Sequence, residues 1–214
     1  MSTEYHKIQS IFKRDTKGKF IWGQYSTAEI AFLKDNIWEF TEKVDGTNIR
    51  VEWDLTKVTF KGKTEGAQIP AKLVAKLMEL FPVEKFTKIY PDTPMTLYGE
   101  GYGANIQAGG GKYRPDGSCS FVLFDVFIDK WWLSRPNVED IATKLGIEVV
   151  PSVGKGTLAV AIELTRVGVP SHWGDFIAEG LVMRLPVDLF DRNGKRIITK
   201  IKHKDFTYEE VPKA

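Results

Sequence analysis

Residues 40–53 read Phe-Thr-Glu-Lys-Val-Asp-Gly-Thr-Asn-Ile-Arg-Val-Glu-Trp. Apolar and polar side chains alternate through enough of this stretch to predict a β-strand, and the Asp45-Gly46 pair predicts a bend inside it. Lys43 stands just before the bend, in the pattern Lys-x-Asp-Gly. At the mouth of a strand such a lysine can present its amine to the α-phosphate of a nucleotide. The pattern alone is weak, and an exposed lysine before an ordinary turn is the alternative.

Four helices are expected along the rest of the chain. Ser26 and Glu29 have the spacing of a capping box, which predicts a short helix up to residue 33. Asn137 predicts the start of another helix and Gly146 its end. A further helix is predicted over 157–166. The longest apolar face, over residues 71–81, consists of Leu73, Val74, Leu77, Met78 and Phe81.

The predicted strands come in adjacent pairs, which favours an α+β fold with antiparallel sheets flanked by helices. Residues 55–63 return as the hairpin partner of the first strand, and the glycine-rich segment 108–112 predicts a loop. Asn193-Gly194 is a strong hairpin signal. The other strands are predicted over 95–101, 119–128, 180–185 and 197–202. We find no linker long enough to divide the chain, so residues 1–214 are expected to form a single domain.

Composition limits the class of protein. The chain has 214 residues, of which 43% are hydrophobic, enough for a substantial core. The single cysteine, Cys119, excludes an internal disulfide and a cysteine-rich zinc site. No apolar leader or membrane-spanning stretch is evident, so the expectation is a soluble, cytoplasmic protein without a membrane partner.

The net charge of +2 is too small to indicate nucleic-acid binding by itself, but cations gather near the C-terminus. In the stretch 197–202 the alternation places Lys200 and Lys202 on the same face of a strand. A lysine amine attacks phosphorus only after losing its proton, and burial and nearby cations both favour the neutral form. Lys200 and Lys202 could supply those cations for Lys43 and hold phosphate oxygens as charge grows on them. A solvated basic face is the alternative.

Three further residues could complete a nucleotide site. Glu100, between glycines in Tyr98-Gly99-Glu100-Gly101, could accept a hydrogen bond from a ribose hydroxyl. Phe124 could stack on a purine, and period-2 alternation sets it on one strand face with Val122, opposite Leu123 and Asp125. Glu179 is the carboxylate best placed to bind Mg²⁺. A charged turn residue, a core phenylalanine and a strand-edge glutamate are the respective alternatives.

Other common sites are excluded. The three histidines are scattered, and none pairs with another at metal-ligand spacing. We find no Ser-His-Asp arrangement, no Walker phosphate loop and no dinucleotide-binding glycine pattern.

Taken in order, these segments resemble the covalent nucleotidyltransferase superfamily, and most closely ATP-dependent RNA ligases of the bacteriophage nick-sealing type. The resemblance covers nearly the whole chain, from about residue 5 to residue 206. Lys43-Val44-Asp45-Gly46 matches the nucleophile motif. The following pair, Thr47-Asn48, is a further feature of that ligase branch. The later matches are Glu100, Phe124, Glu179, Lys200 and Lys202.

The resemblance implies an ATP-grasp-like adenylation domain, acting as a monomer without a C-terminal accessory domain. With Mg²⁺ or Mn²⁺ bound at Glu179, Lys43 would take AMP from ATP and pass it to a 5′-phosphate end. A 3′-hydroxyl would then displace AMP, joining RNA or other polynucleotide ends in RNA repair. Glu42 would line the adenine pocket beside Lys43. Asp45 would orient the site, and Gly46 would let the backbone come close to the nucleotide. Lys63 stands where such ligases often place an arginine. Lysine keeps the positive charge but lacks the bidentate fork of the guanidinium group.

Other functions remain open. A GTP-dependent capping guanylyltransferase or a small DNA ligase would use the same lysine chemistry. A nucleotide- or RNA-binding protein with a degenerate pocket is the non-enzymatic alternative, although binding alone needs no nucleophile.

Overall fold

A computed structural model describes residues 4–206. The chain divides into two compact units. Unit 1 consists of Met1–Tyr5 and Asp45–Val150, and unit 2 of His6–Val44 and Pro151–Ala214. Each contains one main sheet and its own hydrophobic core.

Unit 1 is built on a six-stranded sheet. Five of its strands lie side by side in the order β10-β8-β7-β5-β6, and β9 pairs with β8. Its pairs are antiparallel, except that β10 runs parallel to β8. The strands are β5 (Thr47–Trp53), β6 (Val58–Lys61), β7 (Met95–Gly103), β8 (Cys119–Ile128), β9 (Trp131–Trp132) and β10 (Glu148–Val149).

Three helices belong to unit 1: α2 (Ala71–Leu80), α3 (Val83–Ile89) and α4 (Arg135–Leu145). They bury apolar side chains against alternate residues of β5, β7 and β8, among them Ile49, Leu97 and Phe121. The same strands therefore carry their polar side chains on the opposite face. That face bears the candidate functional residues of this unit.

Unit 2 is built on a five-stranded sheet with the order β1-β13-β12-β4-β11 and a separate β2–β3 hairpin. Its pairs are antiparallel apart from β1 with β13. Helices α1 (Ala28–Phe32) and α5 (Leu158–Val167) accompany it. The strands are β1 (Gln9–Ser10), β2 (Phe12–Arg14), β3 (Phe20–Tyr25), β4 (Trp38–Lys43), β11 (Ser152–Gly156), β12 (Gly180–Arg184) and β13 (Ile198–Lys202).

The stretch that opens the sequence analysis forms two strands instead of one bent strand. Residues 44–46 separate β4 from β5, and the two strands belong to different sheets in different units. The bend at Asp45-Gly46 is present as predicted. Its consequence, a change of sheet, depends on partner strands that lie far away in the sequence.

The helix starts are close to those predicted, but two caps differ. Thr27 caps α1, its Oγ1 accepting from the Ile30 amide at 3.3 Å, where the capping-box spacing favoured Ser26. Ser134 precedes α4 where Asn137 was expected, because Pro136 favours the first turn. Gly146 ends α4 in the left-handed conformation, at φ 62°, as predicted.

Several short elements were not predicted. Strands β1, β2, β9 and β10 span two or three residues each, too few for a clear alternation, and β3 and β11 contain glycines that interrupt it. Helix α3 begins directly after Pro82, and no helix was predicted there. The predicted loop 108–112 contains a 3₁₀ turn, Gly110–Lys112.

Within the described residues 4–206, we found no helix that is long and apolar enough to cross a membrane.

Helix α2 differs from prediction at one position of its apolar face. Leu77 is fully buried, whereas Met78 is 63% exposed. We expect Leu77→Ala to lower the free energy of unfolding by about 2–5 kcal/mol because it leaves a cavity in the core. Met78→Ala, one residue away on the same helix, should change it by less than about 0.5 kcal/mol. Urea unfolding followed by tryptophan fluorescence measures both; equal losses would contradict the assigned face.

Candidate active site

The register of β4, β12 and β13 in unit 2 aligns three predicted residues in one row. Lys43 lies opposite Gly180 across one pair of strands, and Gly180 lies opposite Lys202 across the next. Lys200 lies two residues before Lys202 and therefore on the same face. The sheet thus presents Lys43, Lys200 and Lys202 together on its polar face.

A glycine is required in the middle of this row. A Cβ atom added at Gly180 would lie 2.0 Å from the carbonyl oxygen of Ile201. No larger residue fits this backbone without moving β13. No role was predicted for Gly180, and the structure gives it one.

Glu179, directly before this glycine, binds both lysines of the row. Its Oε2 accepts from Lys43 Nζ at 2.5 Å and its Oε1 from Lys202 Nζ at 2.5 Å. Burial alone would raise the pKa of Glu179, but the ammonium groups of Lys43 and Lys202 outweigh it and hold the pKa below its ordinary value. The carboxylate therefore stays ionised at neutral pH.

The backbone of Glu179 is fixed as well. Its carbonyl oxygen accepts from the His203 amide at 2.9 Å. Held in this way, the Glu179 carboxylate joins the ammonium groups of Lys43 and Lys202 in a half-buried cluster. We call this cluster the lysine–glutamate triad (Lys43, Glu179 and Lys202).

Glu42 takes the face of β4 opposite Lys43. It is only 2% exposed, on the same face as the core residues Trp38 and Phe40. Its two carboxylate oxygens accept from Ser171 Oγ at 2.7 Å and from the His172 amide at 2.8 Å. Burial raises the pKa of Glu42 above its ordinary value despite these two hydrogen bonds. Ser171 carried no motif that sequence reasoning could have used.

The remaining predicted residues lie in unit 1, where Asp45 and Gly46 form the bend before β5. The Asp45 amide donates to Tyr113 Oη at 3.1 Å, and Gln107 Nε2 donates to the Gly46 carbonyl at 3.2 Å. A Cβ at Gly46 would lie 2.3 Å from the Gly101 carbonyl oxygen. Close packing on β7 is thus one reason for glycine here, besides the expected approach to a nucleotide.

Asn48 and Glu100 are direct cross-strand partners on the polar face of the unit 1 sheet. The Asn48 Oδ1 atom is buried and has no hydrogen-bond partner. A buried acceptor without a donor is costly, so such an atom is a natural contact for a ligand that brings a donor. Glu100 is half-buried beside it.

Phe124 occupies a β-bulge. Tyr98 pairs with Asp125 and Gly99 with Leu123, which leaves Phe124 as the extra residue between them. Leu123 is a core residue, whereas Asp125 accepts from Tyr5 Oη at 2.6 Å. The prediction that Leu123 and Asp125 share a face was therefore wrong, because the bulge shifts the alternation by one residue. The half-buried Phe124 ring packs against Tyr5, with 5.1 Å between ring centroids.

Lys63 is exposed in the turn that follows β6. Arg50, which sequence reasoning did not select, is instead fully buried beside this turn. Its Nε donates to the Gly62 carbonyl at 3.1 Å and its Nη2 to Glu65 Oε1 at 2.9 Å. Arg50 thereby holds the turn that carries Lys63.

The predicted site residues thus fall into two groups. Unit 2 holds Glu42, Lys43, Glu179, Lys200 and Lys202, and unit 1 holds Asp45, Gly46, Asn48, Lys63, Glu100 and Phe124. In the part of the chain from residue 4 to 206, no three His, Cys, Asp or Glu side chains cluster as a metal site would require. A metal at Glu179 would therefore depend on oxygen ligands from a substrate.

Comparison with known proteins gives one family and one set of solved structures. A family model described as RNA ligase matches residues 36–202, most of the chain. No curated protein matches this chain.

Structures of Naegleria gruberi RNA ligase are among the similar solved structures. A mutant with ATP and Mn is 21% identical with a TM-score of 0.63, and the match covers 81% of this chain and 52% of that one. A mutant with AMP and Mn is 18% identical with a TM-score of 0.64, covering 91% and 60%. The same ligase with PPi is 19% identical with a TM-score of 0.63, covering 92% and 61%. The chain therefore shares their fold while spanning less than two-thirds of their length.

The buried carboxylate of Glu42 makes stability depend on pH in a defined direction. Because its folded-state pKa is raised, Glu42 favours the folded state below its ordinary pKa, and this contribution is lost as the pH rises through the raised value. Relative to Glu42→Gln, we expect the wild type to lose stability as the pH rises above about 4.5. Urea unfolding of both proteins across this range isolates the effect of this one group. A difference that grows with pH in favour of the wild type would contradict the expectation.

Proposed function

Since this chain belongs to the RNA ligase family, we propose that it is an ATP-dependent ligase that joins RNA ends through AMP bound covalently to Lys43. The single observation that carries the proposal is the lysine–glutamate triad, which lies inside the region that defines the family. The fold is proposed to be the ATP-grasp-like adenylation domain that the resemblance implies. The substrates are a 5′-phosphate end and a 3′-hydroxyl end.

In the proposed first step, the Lys43 amine attacks the α-phosphorus of ATP. A nitrogen–phosphorus bond forms, the bond to the bridging oxygen breaks, and pyrophosphate leaves. The attacking amine must first lose a proton, and its ion pair with Glu179 has to open before it can reach the phosphorus.

Lys202 and Lys200 are proposed to bind the phosphate oxygens. Both lie on the face that bears Lys43, and Lys202 shares its row. Positive charges held in place before the reaction stabilise the negative charge that grows on the phosphate in the transition state. Glu179, which contacts Lys43 and Lys202 at once, would keep the two amines apart and aligned until the nucleotide arrives.

Each unit, taken separately, contains residues that could take part in nucleoside recognition. In unit 1, the unpartnered Asn48 Oδ1 and the neighbouring Glu100 are suited to accept hydrogen bonds from hydroxyl or amino groups. The half-buried Phe124 ring is suited to stack on a purine. In unit 2, Glu42 lies on the face of β4 opposite Lys43, where Ser171 and His172 hold its carboxylate. The preference for ATP over GTP rests on the family match.

A divalent cation, Mg²⁺ or Mn²⁺, fits the donor set only together with nucleotide phosphates. Glu179 offers one ionised carboxylate, and such cations normally take one or two protein carboxylates and complete their shell with phosphate oxygens and water. When bound, the cation would neutralise phosphate charge and draw Glu179 away from Lys43.

The two later steps complete the reaction. AMP passes from Lys43 to the 5′-phosphate, forming a phosphoanhydride and freeing the amine. The 3′-hydroxyl then attacks that 5′-phosphate, a phosphodiester forms and AMP leaves. RNA repair by a monomer, phage-encoded as the resemblance implies, is the proposed setting.

Intact-mass measurement tests the first step. After incubation with ATP and Mg²⁺ we expect the protein to gain one AMP, and incubation with GTP to leave its mass unchanged. Lys43→Ala should abolish the adduct because it removes the nucleophile. Lys155→Ala is the matched control: this lysine lies on the neighbouring strand β11, 69% exposed, and its variant should react like the wild type. An AMP adduct on the Lys43→Ala variant would show that another residue is the nucleophile.

The metal-associated role of Glu179 is tested by its dependence on metal concentration. We expect Glu179→Ala to slow adduct formation by about 100-fold, and excess Mg²⁺ to restore part of the rate. Glu39→Ala removes a carboxylate that also pairs with a lysine, Lys155 at 3.5 Å, on the same sheet. Its rate should match the wild type at every Mg²⁺ concentration. The same fractional defect of Glu179→Ala from low to saturating Mg²⁺ would remove the proposed role.

A further inference from the structure

A second concentration of positive charge, besides the one near the C-terminus, lies near the N-terminus. Residues 6–25 carry five cationic side chains and one acidic side chain, a net charge of +4. The whole chain has a net charge of only +2, so the rest is slightly acidic. Four of the five cations, at positions 13, 14, 17 and 19, lie in or beside the turn of the β2–β3 hairpin.

The acidic residue of this hairpin is occupied by the turn itself. Asp15 Oδ1 accepts from the backbone amides of Lys17 at 2.8 Å and Lys19 at 2.9 Å, and the Asp15 amide donates to the Lys19 carbonyl. Its carboxylate is therefore directed to the turn backbone. The side chains of Lys13, Lys17 and Lys19 are exposed, and within residues 4–206 none of the three forms an ion pair.

Aromatic packing fixes the hairpin below this charged tip. Phe12 contacts Phe20, Trp22 and Tyr25 with centroid distances of 5.1 to 5.6 Å. Arg14 packs over the Phe20 ring, 4.2 Å from its centroid. A hairpin held in this way presents its lysines from a rigid support, which reduces the entropy lost on binding.

The hairpin is also joined to the strand that carries the phosphate-binding lysines. Strand β1 runs directly into β2 and pairs with β13, placing Ser10 beside Lys200. Asp205 accepts from Arg14 Nη2 at 3.0 and 3.1 Å, and its Oδ2 also accepts from the Lys202 amide at 3.1 Å. The same short segment of unit 2 therefore anchors both the basic hairpin and the proposed site.

We propose that the tip of the β2–β3 hairpin, formed by Lys13, Lys17 and Lys19, binds the phosphate backbone of the polynucleotide substrate. This inference rests on the proposed function for its substrate class. It adds a surface that binds the polynucleotide at nucleotides other than the reacting ends. Lysines without carboxylate partners suit a row of phosphates, whose contacts carry affinity without reading sequence. The tip has no apolar groove residue, since Lys13 to Lys19 contains only polar residues and glycine, which argues against a protein partner.

The test is the salt dependence of RNA binding. Fluorescence anisotropy with a 3′-labelled, 20-nucleotide single-stranded RNA gives the affinity over a range of salt concentrations. The triple variant Lys13→Gln, Lys17→Gln and Lys19→Gln should bind about 50-fold more weakly at 0.15 M salt, and the slope of log affinity against log salt should fall by about 2. Unchanged thermal unfolding would show that the variant is folded.

The matched control changes the same charge elsewhere. Lys57, Lys88 and Lys130 are exposed lysines of unit 1, and their triple glutamine variant should bind RNA like the wild type. If both triple variants lose affinity equally, the effect is one of net charge and the hairpin proposal is overturned. If the hairpin variant binds like the wild type, it is likewise overturned.

The outcome is separable from that of the proposed function. Loss of RNA affinity confined to the hairpin variant supports the inference even if the wild type never gains AMP. An AMP adduct on the wild type together with unchanged RNA affinity of the hairpin variant would uphold the ligase proposal and sink this one.

Discussion

The alignment of β4, β12 and β13 is the constraint on which the unit 2 site depends. Lys43 and Lys202 belong to strands that are not neighbours, and β12 holds them in one row through the backbone of Gly180. A side chain at Gly180 would collide with β13, so the row requires a residue without one. Shifting either strand by one residue would move its lysine to the apolar face. Chemistry in this unit therefore depends on backbone hydrogen bonds.

The charges in this row suit a site that binds an anionic substrate. Two ammonium groups share one ionised carboxylate, so the triad has an excess of positive charge. An excess of this sign attracts phosphates while the carboxylate limits the repulsion between the amines. Each charge of the triad has a partner of opposite sign, which explains why three charged residues can occupy a half-buried position together. Removing Glu179 would leave two half-buried ammonium groups without that partner.

Local patterns in the sequence predicted much of this, and long-range pairing accounts for what they missed. Alternation placed Lys200 and Lys202 on one face, and the helix predicted over 157–166 corresponds to α5, since both depend only on near neighbours. The bulge at Phe124 depends on how β8 pairs with β7. The assignment of β4 to another sheet than β5 depends on partners more than 100 residues later. Hydrogen bonds such as Ser171 to Glu42 leave no periodic trace in the sequence.

The division of the chain has a consequence for how it is made. Every strand of the unit 1 sheet lies between residues 47 and 149, so all of them are synthesised before β11, β12 and β13 of unit 2. Strand β4 has left the exit tunnel by then, yet both of its neighbours, β11 and β12, are still untranslated. Until they appear, Trp38 and Phe40 have no sheet to pack within, and the nascent polypeptide carries an unpaired, apolar edge that is prone to aggregation.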